Sequence, residues 1–395
     1  MLPTALAVCL GLLSATLPGA GACADTPADT PAGPPPVPPE APPVDTSTRV
    51  LDTRALTDLE HLLDTIAERR VVFVGEHHDR YQDHLNQLRV IEGLHRRGKQ
   101  LAIGMEFFQQ PYQAALNAYI AGEIDEAQML RQTHYFDRWR FDYRLYRPIL
   151  RFAREHRIPV IALNLESELT RRVAELGAAG LTPAERARLP AAIDRSDPAY
   201  AARIKAVFDQ HPMPDQRSFE RFVEVQLLWD EGMAERAARY LTANPQTTLV
   251  VLAGAGHIEY GQGIPKRLVR RVPVSAVTLL NAGDGELDPA VADYLLFTRP
   301  VELPAAGLLG VQLGEPGGQA GAPVEGFGPG SGAEAAGLVV GDRIVRVGDQ
   351  QVSGYADIRI ALLDRGPGQR VPVEVRRKRL DGSGDASVTF EVELH

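Results

Sequence analysis

Short apolar runs alternate with longer amphipathic stretches between residues 49 and 298. Each run is continuous, which is typical of strands buried on both faces of a sheet. In the intervening stretches, such as 85–94, leucine and isoleucine recur every three or four residues and predict helices. Strands that alternate with helices predict the α/β fold class, with a mostly parallel sheet flanked by helices. The predicted strands are 71–75, 101–108, 159–164, 248–254 and 274–280.

The pattern changes after residue 300. Residues 303–395 contain short apolar segments separated by Gly–Asp turns, such as 337–342 (GLVVGD), and these predict a small β-rich barrel. One amphipathic stretch, 355–364, predicts a short helix that the Gly-Pro-Gly segment at 366–368 ends. The chain is therefore expected to contain a larger domain at 49–298 and a separate smaller domain at 303–395.

The N-terminal region differs in composition from both domains. Residues 1–22 contain an uncharged apolar run followed by small residues, as expected of a secretory signal peptide. Residues 23–48 are rich in proline and predict an extended linker. The two cysteines of the chain, Cys9 and Cys23, both lie here. We expect an exported protein, periplasmic or membrane-anchored through a lipidated Cys23; a cytosolic protein with a chance apolar tail is the alternative.

Charge and cysteine usage narrow the chemistry. The 51 Asp and Glu residues outnumber the 42 Lys and Arg residues, and the net charge of −9 leaves no footprint for nucleic acid. Both domains lack cysteine, which excludes disulfides, cysteine nucleophiles and cysteine-ligated metals there. Neither a G-x-S-x-G elbow, an H-E-x-x-H helix nor a P-loop occurs, which argues against the corresponding hydrolases and NTPases.

Polar side chains occur at the ends of four predicted strands. Glu76 and His78 follow the first strand, Glu106 lies near the end of the second, Asn164 ends the third, and His257 follows the fourth. Because ligands of parallel sheets bind beyond the carboxyl ends of the strands, we expect these side chains to meet. A carboxylate beside an imidazole supplies metal ligands, or a base with its orienting partner. The alternative is that each residue caps a helix or has a structural role.

Five short motifs resemble one known family. Residues 75–78 (GEHH) and 254–257 (GAGH) resemble the GExH and GxxH motifs of the Tiki/erythromycin-esterase-like superfamily. Three further segments are similar to those of its ChaN family of iron-regulated, haem-binding bacterial lipoproteins. They are 105–108 (MEFF), 146–148 (YRP) with 158–164 (IPVIALN), and 226–234 (QLLWDEGMA). The resemblance covers residues 50–298 and implies a ChaN-like haem-binding domain.

The resemblance also implies a site and its ligand. The implied ligand is haem, with its iron held by a tyrosinate, in homodimers that hold stacked haems. In relatives that hydrolyse bonds, the same site activates water or binds a divalent metal. The implied catalytic residues are Glu76, His78, Glu106 and His257; of these, Glu76, His78 and His257 are the candidate metal ligands, and Asn164 and Asp230 lie nearby and would help to bind a cofactor.

The segment 135–147 interleaves aromatic residues with arginines. Aromatic faces pack on a porphyrin, and arginines pair bidentately with propionates, so Tyr143, Tyr146, Arg144 and Arg147 are candidate haem-binding residues. The alternative is a helix that buries the aromatic residues and leaves the arginines in water.

The C-terminal domain resembles a bacterial PDZ domain, on the AGLxxGDxIxxV pattern that starts at residue 336. The resemblance implies that the C-terminus of a partner protein, or an extended peptide, adds as a strand beside 311–313. The implied peptide-binding residues are Leu309, Gly310 and Val311, through their backbone N–H groups, and Ile358 and Leu362, through their side chains. A PDZ domain that packs only on its own protein is the alternative.

Together these features predict an exported protein that binds haem or iron, serves in haem or iron uptake, and recruits a partner through a PDZ domain. A metal-dependent hydrolase or protease that uses the GExH/GxxH site is the alternative function. A third interpretation is an adaptor whose ancestral site is inactive.

Overall fold

A computed structural model describes residues 52–210, 216–283, 287–315, 317–379 and 383–395. The predicted signal peptide and proline-rich linker lie outside these described residues. The described residues divide into two units between Asp58 and Leu59. In the first, Asp52 caps a single 3-10 turn at Thr53–Ala55; everything below belongs to the second. No helix within the described ranges is long and apolar enough to cross a membrane.

The larger domain is built on a six-stranded sheet in the order β3-β2-β4-β1-β5-β6, and every neighbouring pair of strands is parallel. This confirms the predicted α/β fold class, and all five predicted strands are present. The strand β6 was not predicted because its three residues are half-buried and form no long apolar run. The strands are β1 (Val71–Glu76), β2 (Leu101–Gln109), β3 (Val160–Asn164), β4 (Thr248–Gly254), β5 (Ala276–Asn281) and β6 (Tyr294–Leu296).

Helices cover both faces of this sheet. Val72 and Val74 of β1 pack into a core on one face, and Val71 and Phe73 pack into a second core on the other. Burial on both faces explains why the strands are continuous apolar runs. The helices are α1 (Leu59–Ile66), α2 (Tyr81–Arg96), α3 (Gln113–Ala121), α4 (Glu126–Gln132), α5 (Tyr135–Arg138), α6 (Arg147–Glu155), α7 (Ser167–Leu176), α8 (Pro183–Arg186), α9 (Pro198–Asp209), α10 (Gln216–Ala243) and α11 (Ile264–Arg271).

The C-terminal domain is an antiparallel sheet in the order β12-β11-β9-β8-β7, with β10 paired to β9. The strand β7 lies at the edge of this sheet, where an added peptide strand would pair. The elements are β7 (Val311–Leu313), β8 (Ala322–Phe327), α12 (Gly332–Ala335), β9 (Arg343–Val347), β10 (Gln350–Gln351), α13 (Tyr355–Ala361), β11 (Arg370–Lys378) and β12 (Asp385–Glu393).

The helix α13 packs against the larger domain. Ile360 is 8 % exposed and belongs to the core on the α1-to-α6 face of the larger domain, not to the core of its own domain. Charged pairs surround it. Arg131 of α4 lies 2.8 Å from Asp357, Arg359 lies 3.4 Å from Asp142, and Arg147 pairs with Asp364. An apolar centre with a ring of ion pairs is the anatomy of a specific interface.

We expect Ile360→Asp to release the small domain without unfolding either domain. An unpaired carboxylate at this buried position costs about 3–5 kcal/mol, which exceeds what the exposed ion pairs around it restore. Small-angle X-ray scattering should show a larger radius of gyration and limited proteolysis should cut between the domains. The matched control is Val340→Asp at a position that is 62 % exposed. Equal compactness of the two variants would refute a docking role for Ile360.

Candidate functional site

The carboxyl ends of three neighbouring strands bring the predicted acids and imidazoles to one edge of the sheet. Glu76 ends β1, Glu106 lies in β2, and Gly254 ends β4, directly before the 3-10 turn that carries His257. The Gly254 N–H donates to a Glu106 oxygen at 2.8 Å, which ties β2 to the end of β4.

Glu76 and His78 form a close pair. The Nδ1 atom of His78 lies 2.5 Å from Glu76 Oε1, and Glu76 is 1 % exposed. The rings of Trp139 and Phe141 pack on the His78 imidazole, at centroid distances of 4.9 and 4.8 Å. The second Glu76 oxygen has no hydrogen-bond partner among the described residues, and His84 Nε2 lies 3.6 Å from it. The pair fixes the tautomer and orientation of His78 and leaves its Nε2 available for chemistry.

His257 lies between two carboxylates. Its Nδ1 atom is 2.6 Å from Asp230 and its Nε2 atom is 3.4 Å from Glu106. Asp230 is buried in α10 and accepts a second hydrogen bond, at 2.8 Å, from the Tyr200 hydroxyl of α9. A carboxylate that is itself anchored holds the imidazole in one orientation. Tyr200 was not predicted, because nothing in its local sequence distinguishes it from a core tyrosine.

The charges in this cluster stabilise one another. Burial alone would raise the pKa of Glu106, but the nearby His257 and His78 and the Gly254 N–H lower it to about 2. Burial opposes charge on His257 as well, yet Glu106 and Asp230 raise its pKa well above the usual value. Burial also opposes charge on His78, and Glu76 outweighs it to raise that pKa. Charge on Glu106 is thus favoured by the two imidazoles, and charge on His257 and His78 is favoured by the carboxylates beside them.

Stability should fall on both sides of neutral pH. The depressed pKa of Glu106 gives stabilisation that is present above pH 4.5 and lost as pH falls toward 2. The raised pKa of His257 gives stabilisation that is complete below pH 6.5 and lost as pH rises through the folded-state pKa. Urea unfolding as a function of pH should show the acid loss in the wild type and a smaller one in Glu106→Gln. An unchanged acid profile in the variant would contradict this assignment.

The glycine at 254 allows the close approach of His78. A Cβ atom built on Gly254 would lie 2.9 Å from His78 Cε1 and 3.2 Å from His78 Nε2. Any side chain there would displace the imidazole, so the glycine of the GxxH segment serves close packing rather than an unusual backbone angle.

The other predicted residues lie in different surroundings. Tyr143 and Tyr146 have no exposed surface; the Tyr143 hydroxyl donates to Glu126 at 3.0 Å and the Tyr146 hydroxyl donates to the His78 carbonyl at 3.4 Å. Burial, reinforced by neighbouring carboxylates, raises the pKa of both phenols well above 10. Neither phenol is therefore accessible or easily ionised.

The two predicted arginines pair with acids of the chain itself. Arg144 contacts Asp142 at 2.8 Å and donates to the Pro304 carbonyl, and Arg147 pairs with Glu126 and Asp364. Asn164 ends β3 and is 9 % exposed, and its side-chain oxygen has no partner among the described residues. Two of the predicted cofactor-binding residues contact the cluster of Glu76, His78, Glu106 and His257: Asp230 pairs with His257, and Tyr146 donates to the His78 carbonyl.

Within the ranges that the structure describes, no three His, Asp, Glu or Cys side chains are arranged to hold a metal ion. Glu76 and His78 pair with each other, whereas His257 pairs with Asp230 and Glu106.

Tyr260 and Arg203 are further residues at this edge that the sequence did not predict. Tyr260 is 42 % exposed, three residues beyond His257, and its backbone has a φ of +58°, which is uncommon for an aromatic residue. Its hydroxyl donates to Asp288 at 3.0 Å. Arg203 donates to the Gly256 carbonyl at 2.9 Å, and its Nη2 atom is buried without a hydrogen-bond partner among the described residues. Strained backbone and unpaired buried donors are features of binding sites.

The predicted peptide-binding residues fall into two groups. Gly310, with φ of +77°, and Val311 lie at the start of the edge strand β7. Leu309, Ile358 and Leu362 are at most 5 % exposed and pack in the core of the small domain. The backbone of 309–311 thus leads into the edge strand β7, and Ile358 and Leu362 belong to the core of the small domain.

A parallel α/β domain with paired imidazoles and carboxylates at its carboxyl edge, joined to a small antiparallel domain, defines the class of protein. The family described as "Haem-binding uptake, Tiki superfamily, ChaN" matches residues 62–268, just over half of the chain, and the chain belongs to this family. The PDZ domain family matches residues 301–376. Family membership supports haem binding, and the PDZ domain supports binding of a peptide partner.

Individual relatives are distant. Residues of this chain are 25 % identical over 264 positions to "Protein RETICULATA-RELATED 5, chloroplastic" of Arabidopsis thaliana, which covers 61 % of this chain and 36 % of that protein. The chain thus spans about a third of the length of this relative. The solved structure described as "Cofacial heme binding to ChaN of Campylobacter jejuni" is 15 % identical in sequence to this chain, with a TM-score of 0.49. The match covers 60 % of this chain and 91 % of that one. "HtrA-type protease AlgW with decapeptide" is 27 % identical with a TM-score of 0.19, over 23 % of this chain and 30 % of that one.

Proposed function

We propose that the protein is exported, binds haem at the carboxyl edge of the parallel sheet for haem or iron uptake, and recruits a partner through its PDZ domain. Membership of a haem-binding family supports the ligand. The apolar run and small residues of 1–22, followed by Cys23, support export and lipid anchoring. The family resemblance also supports a homodimer that holds stacked haems.

We propose that the haem iron is bound by the phenolate of Tyr260. The observation that carries this assignment is the exposed phenol of Tyr260, held on a strained backbone three residues after His257. Phenolate oxygen is a known ligand of ferric haem. Tyr143 and Tyr146 are fully buried, whereas Tyr260 is 42 % exposed and can reach a ligand. Asp288 already accepts the Tyr260 hydroxyl proton in a hydrogen bond and is placed to take it when the phenolate forms.

Arg203 suits the propionates of such a ligand. The pKa of the Tyr260 phenol is raised, by its burial first and then by Asp288 and Glu259, and the charge of Arg203 opposes this rise. The Nη2 donor of Arg203 has no hydrogen-bond partner among the described residues, and its Nη1 atom lies 3.6 Å from Glu259. His78, Trp139 and Phe141 add a ring surface at the same strand ends.

Titration of the purified full chain with hemin tests the proposal. Haem in a protein site gives a saturable shift of the Soret band, which we expect at one haem per chain, and sedimentation would report whether dimers form on binding. A linear, unsaturable absorbance change would overturn the haem-binding function. Saturable binding that survives Tyr260→Phe would overturn only the ligand assignment.

A second candidate function is hydrolysis by water activated at the cluster, directly or on a divalent metal. The specific observation in its favour is that two imidazoles each lie within 2.6 Å of a buried carboxylate, which is the arrangement of a general base with its orienting partner. Ester and amide substrates should be hydrolysed by the wild type and at least about 100-fold more slowly by His257→Gln. A rate equal to that of uncatalysed hydrolysis would exclude this function for those substrates.

A further inference from the structure

A cavity of about 400 Å³ lies beside the edge strand β3. It is separate from the strand-end cluster, by which we mean Glu76, His78, Glu106 and His257. Leu165, Leu169 and Leu189 form its apolar walls, and one face of α10 supplies Arg236 and Arg239. None of Glu76, His78, Glu106 or His257 lines it. A cavity of this size is within the range of small-molecule sites.

Arg236 differs from the other charged residues of the cavity. Arg239 pairs with Glu235, and Arg188 contacts Glu166, so each of these arginines has a carboxylate partner. Arg236 forms no ion pair with any residue that the structure describes. Its guanidinium donates one hydrogen bond, from Nη2 to Gln113 Oε1 at 3.1 Å, and its Nε atom is buried without a partner.

This arrangement is unfavourable for Arg236. A half-buried cation without a counter-charge loses hydration, and the one hydrogen bond to Gln113 compensates only part of this loss. Burial, with a further effect from the charge of Arg239, lowers the pKa of Arg236. A bound anion would supply the missing counter-charge and raise the pKa of Arg236, because a carboxylate or phosphate accepts two parallel hydrogen bonds from one guanidinium.

We propose that this cavity binds a small organic anion whose carboxylate or phosphate group pairs bidentately with Arg236. The leucine walls receive the hydrocarbon part of the ligand, and the Nε–H of Arg236 supplies the donor that lacks a partner. The site is separate from the proposed haem site, since the two share no residue.

Calorimetric titration of the full chain tests this site, with inorganic phosphate in one arm and hexanoate in the other to distinguish the two kinds of anion. We expect saturable binding of at least one anion. Arg236→Gln should weaken it about tenfold or more, and Arg236→Lys should weaken it less, because lysine keeps the charge but loses the planar fork. Arg221→Gln, which removes an arginine of the same helix that lies outside the cavity and pairs with Glu224, is the control and should bind as the wild type does.

Stability measurements separate this role from a structural one. The Tm of free Arg236→Gln should equal or exceed that of the wild type, since the variant removes an unpaired cation, and the bound anion should raise the Tm of the wild type only. Hemin binding should be unchanged in Arg236→Gln, so failure of the haem proposal would leave this one intact. A lower Tm for Arg236→Gln without an effect on anion binding would show a structural role, and the lack of saturable binding in both arms would overturn the proposal.

Discussion

Replacement of Tyr260 by phenylalanine is expected to lower the affinity for ferric haem on the order of 100-fold or more, because it removes the iron ligand and keeps the ring. The substitution removes one oxygen atom and its hydrogen bond to Asp288. This hydrogen bond is exposed to solvent. The fold should therefore tolerate it with a change in Tm of only a few degrees. Competition titration with hemin measures the affinity.

Tyr355→Phe is the matched control for this change. Tyr355 is 48 % exposed, similar to Tyr260, but it lies in α13 of the PDZ domain. Its variant should bind haem as the wild type does. Wild-type affinity in Tyr260→Phe, or an equal loss in both variants, would show that the iron ligand lies elsewhere.

Glu106→Leu is expected to cause the largest loss of stability, about 3–5 kcal/mol, because it leaves His257 and His78 with less compensating charge and the Gly254 N–H without an acceptor. Glu106→Gln keeps the shape and an acceptor oxygen, so its loss should be smaller, about 1–3 kcal/mol. Urea unfolding at neutral pH compares the two variants.

The comparison of Glu106→Leu with Glu106→Gln isolates the effect of the negative charge. Equal losses in the free energy of unfolding would show that the charge of Glu106 does not stabilise the cluster. NMR titration of the imidazoles supplies an independent check, since the pKa of His257 should fall in Glu106→Gln.

The strand-end cluster could be anticipated from the sequence because its signals are local. Each apolar run of the sheet ends at a residue that can be read from the sequence, and parallel strands place those ends at one edge. Glu76, His78, Glu106 and His257 therefore meet near the edge as expected. Their pairing could not be predicted, because it depends on the approach that Gly254 permits and on Asp230 from a distant helix.

The backbone path of segment 135–147 could not be predicted from the sequence. The helix that was the alternative interpretation of this segment is broken, because Arg140, with a φ of +65°, lies between a short helix at 135–138 and a 3-10 turn at 143–145. This break places Trp139 and Phe141 against His78 and buries the ring of Tyr146. A left-handed arginine has no sequence signature, and neither has the strained backbone of Tyr260.

The docking of the PDZ domain was also outside the reach of the sequence. The PDZ resemblance assigned Ile358 and Leu362 to the peptide groove and made no prediction for Ile360, which packs in the core of the other domain. The side of α13 that faces the larger domain depends on ion pairs between residues that are distant in the chain. Arg131 and Asp357, for example, are 226 positions apart.

Resonance Raman spectroscopy of the ferric haem complex, prepared with ring-deuterated tyrosine, tests the central claim most directly. Coordination by Tyr260 predicts iron–phenolate vibrations that shift with the label and vanish in Tyr260→Phe. A spectrum without tyrosine-sensitive bands, or bands that persist in Tyr260→Phe, would contradict it.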